Sequence, residues 1–228
     1  MIYITGDTHG EIDIHKLNKK NFPEQKTLTK SDYVIIAGDF GCIWSGGRRD
    51  TWLLNWLEEK NFTTLFVCGN HENFSLLYDY PIETWRGGKI HKINDSVYHL
   101  MRGQIFEIED KTFFTFGGAA SIDKAYRKPF RSWWPEEIPS RAEFEEALNT
   151  LAVYNNQVDY CITHTAPSDI IAHLDLEGEK LSDPTVGMLD IFEKTIAFKH
   201  WYFGHFHQDK TIGKFTALYD NIQALEFK

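Results

Sequence analysis

Short apolar runs at residues 2–5, 33–37, 64–68 and 160–163 punctuate the chain, and each breaks off into polar residues. Their brevity and their β-branched and aromatic content predict buried strands rather than turns of helix. Between the early runs, residues 12–19 and 51–60 read as helical, the second with Trp52, Leu53, Trp56 and Leu57 at helical spacing. This alternation predicts β-α-β units and a parallel sheet. From 97 to 116 the pattern changes to three short strands with turns at Arg102-Gly103 and Glu109-Asp110, which predicts an antiparallel meander. A helix follows Pro139, where Ser140 and Glu143 form an S-x-x-E capping box. Phe144, Ala147, Leu148, Leu151 and Tyr154 share one of its faces, and Asn155-Asn156 marks its end. Another helix is expected over 183–197, with Pro184 in its first turn, and strands resume at 201–203 and between 215 and 227. No repeat, low-complexity segment or linker divides the chain, so residues 1–228 read as a single β-rich α/β domain.

Composition narrows the function. With 42% apolar and 15% aromatic residues the chain has ample core material, which excludes a disordered protein. Cys42, Cys68 and Cys161 are few, scattered and without a C-x-x-C pair. That excludes a disulfide framework and a thiolate zinc knuckle and suits a reducing cytoplasm. The opening residues lack a basic stretch followed by an apolar one, and no apolar run nears the roughly 20 residues of a membrane span. A soluble cytoplasmic protein without membrane association is expected. The net charge of −9 disfavours long nucleic acids. Ten histidines change the picture most, because imidazole is the commonest side-chain metal ligand.

Five of those histidines fall in four of five strand-end motifs: Gly6-Asp7-Thr8-His9-Gly10, Gly38-Asp39, Gly69-Asn70-His71-Glu72, Thr163-His164 and Gly204-His205-Phe206-His207. Glycine suits a backbone that turns sharply and leaves the next side chain in a cleft, and in an open α/β sheet ligands bind beyond the carboxyl ends of the strands. The donors Asp7, Asp39, Asn70, His9, His164, His205 and His207 form an oxygen-and-nitrogen set suited to Mn, Fe or Zn and unsuited to Cu(I) or iron–sulfur clusters. They are too many for one tetrahedral ion and suffice for two that share a carboxylate.

Taken in order, the motifs resemble those of the calcineurin-like metallophosphoesterases, G-D-x-H-G, G-D, G-N-H-E, T-H and G-H-x-H, and they span Gly6 to His207. The resemblance implies a four-layer α/β/β/α sandwich with mixed β-sheets and two divalent ions, Mn first, with Fe, Zn, Co or Ni as alternatives. It gives Asp7, His9, Asp39 and His207 to one ion and Asp39, Asn70, His164 and His205 to the other, with Asp39 bridging. His71 becomes the catalytic group at the leaving oxygen. In one respect the chain departs from the protein phosphatase branch: G-D-x-x-D-R-G would put Asp and Arg where Cys42 and Ile43 stand. A protein phosphatase is disfavoured, and the group that orients His71 is left open.

Residues 117–137 carry glycines, Arg127, Arg131 and the pair Trp133-Trp134. One reading is a loop beside the metals, with Arg127 or Arg131 gripping phosphate and Trp133 or Trp134 stacking on a ring; the plainer one is a surface excursion. Trp44, Arg48 and Arg49 either line the pocket mouth or form a loop tip. Glu136-Glu137 and the glutamates at 143, 145 and 146 read as a solvated face, and His15, His91, His99, His173 and His200 as surface or core histidines. The function expected is a dinuclear-metal-dependent phosphoesterase that hydrolyses a phosphomonoester or small phosphodiester by attack of a metal-bound hydroxide. Its substrate is a small phosphorylated molecule or nucleotide, with no obligatory protein partner. The alternatives are a nuclease or nucleotide phosphodiesterase and, from another class, a catalytically silent scaffold of the same fold. Retention of every ligand position counts against the scaffold.

Overall fold

A computed structural model describes residues 1–174, 176 and 183–225. One sheet has seven strands in the order Gln223–Ala224 (β13), Ile2–Thr5 (β1), Tyr33–Ile36 (β2), Thr63–Phe66 (β3), Val97–Leu100 (β6), Gly88–Lys92 (β5) and Ile82–Trp85 (β4). The other has six, in the order Lys210–Ile212 (β11), Phe215–Ala217 (β12), His200–Phe203 (β10), Tyr160–Thr163 (β9), Lys111–Phe116 (β8) and Gln104–Ile108 (β7). Both sheets are mixed: β1, β2, β3 and β6 run parallel in the first, and β8, β9, β10 and β12 in the second, with antiparallel strands at their edges.

Period-two alternation builds the layers. Ile2, Ile4, Ile35, Leu65 and Val67 meet Phe106, Phe113, Tyr160, Ile162 and Tyr202 in the core between the sheets. The intervening Tyr3, Val34, Ile36, Phe66 and Cys68 face outward beneath the helix Arg48–Glu58 (α1), which contributes Leu53 and Leu57, and the short helix Phe74–Leu77 (α2). On the other outer face Phe114, Phe116, Cys161, Trp201 and Phe203 pack on the helices Arg141–Val153 (α3), Ser168–Ile171 (α4) and Pro184–Thr195 (α5). Helix, sheet, sheet and helix are thus stacked in four layers, and the central parallel strands are largely apolar on both faces as expected for a covered parallel sheet. Among the described residues no helix is long and apolar enough to cross a membrane.

Several expectations change. Residues 12–19 form only a single 3-10 turn, Ile14–Leu17, because Lys16 is drawn inside to donate to the carbonyls of Asp7 and Tyr219. The meander of 97–116 is split: β6 joins the first sheet, and only β7 and β8 form a hairpin, closed by the left-handed residues Glu109 and Asp110. Arg102-Gly103 is therefore a crossing between sheets. It is pinned by the buried Arg102, which donates to the carbonyls of Gly117, Glu136 and Glu137 and to Glu143. A β4–β5 hairpin that the pattern did not announce turns at Arg86-Gly87, both at positive φ. Residues 226–228, which include part of the expected C-terminal strand region, lie outside the described residues.

Candidate metal centre

All five motifs emerge at the carboxyl ends of β1, β2, β3, β9 and β10. Four of their non-glycine residues, His9, Asp39, His205 and His207, adopt left-handed backbone, with φ of 42°, 46°, 69° and 49°. Such conformations cost on the order of 1–3 kcal/mol each and persist where the surroundings over-determine them. Here they turn consecutive side chains toward one point. Gly38 and Gly204 make that convergence sterically feasible, since a Cβ at Gly38 would overlap the His164 ring and one at Gly204 the Asp7 carboxylate.

Asp39 sits at the centre. Its Oδ2 is 3.2 Å from His9 Nε2 and its Oδ1 3.3 Å from His164 Nε2. His164 Nε2 is also 3.1 Å from Asn70 Oδ1, while its Nδ1 faces the Ala37 carbonyl at 2.9 Å. Asp7 Oδ2 is 3.2 Å from His207 Nε2, and the His205 backbone N–H donates to Asp7 Oδ1 at 3.0 Å. The His205 ring lies edge-on to His164, 4.9 Å away. Three overlapping groups place donor atoms within ion-binding reach: Asp7, His9 and His207; Asp7, Asp39 and His164; and His9, Asp39 and His71.

The electrostatics of this pocket suit cations. Burial lowers the pKa of His9, but the hydrogen bond and charge of Asp39, with the charge of Asp7, reverse this and raise it to about 9. His164, likewise buried, is raised to about 9 by Asp39 and Asp7. Asp39 itself, although buried, is held well below the ordinary carboxylate range by His164 and His9. Two carboxylates that hold imidazoles protonated in a buried site create a field that divalent ions would satisfy, and the oxygen-and-nitrogen donors match Mn, Fe or Zn. His205 is pushed down to about 4 by burial and by His164, so it stands as a free lone-pair donor.

His71 and Arg127 close one side. His71 donates its backbone N–H to Asp39 Oδ1 at 2.7 Å, and the Arg127 Nη2 lies 3.0 Å from His71 Nε2. Arg127 is anchored through Nε to Asp123 at 2.8 Å. The position lost to Cys42 is thus not refilled by a carboxylate: Cys42 is buried with its thiol toward the Phe40 carbonyl, and Arg127 is the group packed on His71. Burial, helped by Arg127 and His9, keeps the His71 pKa below its ordinary value despite Asp39.

Arg131 and Trp133 are not brought to the candidate ligands themselves: Arg131 is exposed, and Trp133 bridges to Pro129 and reaches the side chain of Glu137. Trp134 is a core residue, with its ring edge-on to Trp44. Glu137, expected on a solvated face, is buried instead. It accepts from the backbone and hydroxyl of Ser121, whose Oγ accepts from Asn70 Nδ2 at 3.1 Å. That chain fixes which end of the Asn70 carboxamide meets His164. Glu72 is buried too, and its carboxylate accepts the backbone N–H groups of Phe40, Gly41 and Gly69, tying the second motif to the third. Asp13, 2.8 Å from His9 Nδ1, and Tyr219, stacked on His207 at 4.4 Å, also belong to the site without belonging to a motif.

Residues 1–209 match the family model of calcineurin-like phosphoesterases. No curated protein sequence matches the chain. Among solved structures, a chain from Staphylococcus aureus described as a 5'-nucleotidase, in complex with alpha-ketoglutarate, is similar in fold, with TM-score 0.50 and 17% identity. The similarity covers 96% of this chain and 48% of that one, so this chain spans about half its length.

Proposed function

Because the chain belongs to the calcineurin-like phosphoesterase family, we propose that it hydrolyses a phosphomonoester or small phosphodiester at a centre of two divalent ions, Mn first, that share Asp39. The observation that carries this reading is the division of Asp39, one oxygen toward His9 and the other toward His164. Asp7, His9, Asp39 and His207 would hold one ion, and Asp39, Asn70, His164 and His205 the other. Such a pair polarises phosphoryl oxygens and lowers the pKa of water toward neutrality.

The chain's own residues supply the rest. Arg127, fixed by Asp123, presents a cation beside the centre that can pair with a phosphoryl oxygen. His71 lies against Arg127, and in this reading it is the group that meets the leaving oxygen. Kept neutral by burial, its imidazole can donate one N–H to that oxygen as charge develops there, a role worth ~10²–10⁴ in rate. Ser121 and Glu137 hold Asn70, and Ala37 holds His164, so both donors are set before an ion arrives. Both sheets contribute to this one centre, and residues 1–228 act as one catalytic unit. Three buried, free cysteines fit a reducing cytoplasm.

The test is to load the protein with Mn²⁺, count bound metal by mass spectrometry, and assay an aryl phosphomonoester beside an aryl phosphodiester. Asp39→Asn should lower occupancy at both sites; selective loss of one ion refutes the bridge. Fewer than one metal per chain, or inertness toward both esters with Mn, Fe, Zn, Co and Ni, overturns the reading and favours a silent scaffold.

A further inference from the structure

A cleft of about 340 Å³ adjoins the proposed centre and is lined by His9 and His71 together with Gly10, Ile12, Trp44 and Leu53. Gly10 and Gly41, both left-handed, let the two flanking turns touch backbone to backbone. The result is a narrow slot near the lower limit of small-molecule pockets, ~300–1,000 Å³.

Trp44 is held in place without a ligand. Asp50 Oδ2 accepts the backbone N–H groups of Trp44, Ser45 and Gly46 at 2.8, 2.7 and 2.7 Å. Asn73 Nδ2 donates to the Trp44 carbonyl at 2.7 Å. The indole sits edge-on to Trp134, 5.4 Å away, and Trp134 is in turn buried and donates to Ser75 Oγ at 2.9 Å. A half-buried tryptophan so restrained can receive a planar ring at little ordering cost. Asp50 is consumed by the loop, and Arg49 pairs with Glu11 across the outer rim. The lining that remains is mainly apolar.

We propose that this cleft is the leaving-group subsite and that the substrate is a phosphate ester whose alcohol carries a planar aromatic ring, which stacks on Trp44. The inference rests on the phosphoesterase reading, since it uses His71 to define the side from which the leaving alcohol departs.

Non-hydrolysable phosphonates test it by calorimetry on the metal-loaded protein. Phenylphosphonate should bind about ten-fold more tightly than methylphosphonate, the range expected for one stacked ring. Trp44→Ala should erase that preference, with methylphosphonate affinity unchanged as the control for an intact fold, and Trp44→Phe should keep most of it. A phosphonate analogue of adenosine 5'-phosphate run alongside shows whether the ring joins the ester oxygen directly or through a sugar, by which ligand depends more on Trp44. Equal binding of the phenyl and methyl compounds to the wild type, or a preference that survives Trp44→Ala, overturns the subsite alone. Failure of every phosphonate to bind, with no ester hydrolysed, overturns the phosphoesterase reading as well.

Discussion

His9 and His207 are oriented by residues outside the motifs. Asp13 accepts from His9 Nδ1 at 2.8 Å, which directs Nε2 toward Asp39, and Tyr219 lies flat on the His207 ring, 13° from parallel. Lys16 anchors this corner from below through the Asp7 and Tyr219 carbonyls. A carboxylate behind a ligating imidazole fixes its tautomer and raises its basicity, and its loss typically costs 10–100-fold in metal affinity. Asp13→Ala is therefore expected to weaken metal binding by about that factor, read by competition with a chromophoric chelator. At this scale the side chains that gather around Asp39 and Asp7 were legible because each sits in a short motif. Asp13 left a faint trace, four residues after His9 in the same segment. Tyr219 and Glu137 left none, since their partners are distant in sequence, and charge alone made Glu137 look solvent-facing.

Elements were legible where the local pattern carries the whole instruction. Ser140 accepts from the Glu143 backbone and Glu143 reaches back to the Ser140 N–H, as the capping box requires, and α3 ends where Asn155 and Asn156 turn left-handed. Ser140→Ala should destabilise the protein by about 1 kcal/mol, seen as a lower urea midpoint with unchanged slope. The period-two runs likewise became strands. Their sheet membership did not follow, because alternation states which faces are apolar and not which edge is paired. β6 looks like the neighbour of β7, yet it pairs with β3 and β5, and the buried Arg102 that separates the two sheets reads in sequence as an ordinary turn residue.

At the scale of the whole molecule, stability should depend on pH through a pair of histidines far from the motifs. His91 and His99 are buried, with their Nδ1 atoms 2.9 Å apart, and burial holds both below the ordinary imidazole range. The folded state therefore refuses protons that the unfolded chain accepts. The stability this pair confers is present above the unfolded pKa of ~6.5 and is lost as pH falls below it. Between about pH 7.5 and about pH 5.5 the metal-free wild type should lose more urea resistance than His99→Asn, because the opposing contribution of His9 and His164, raised to about 9, is common to both proteins. An equal loss in both proteins would remove the histidine pair as the cause.

The first motif, at the end of β1, meets the last, at the end of β10 in the other sheet, and Asp7 faces His207. During synthesis Asp7 precedes His207 by about 200 residues, roughly 10–40 s at ~5–20 residues per second. Throughout that interval the nascent chain offers carboxylates and imidazoles from only part of the cluster. For the centre proposed above, selection of the metal would therefore wait until His207 has been made, and the ion acquired would mirror the free-metal levels met from then on.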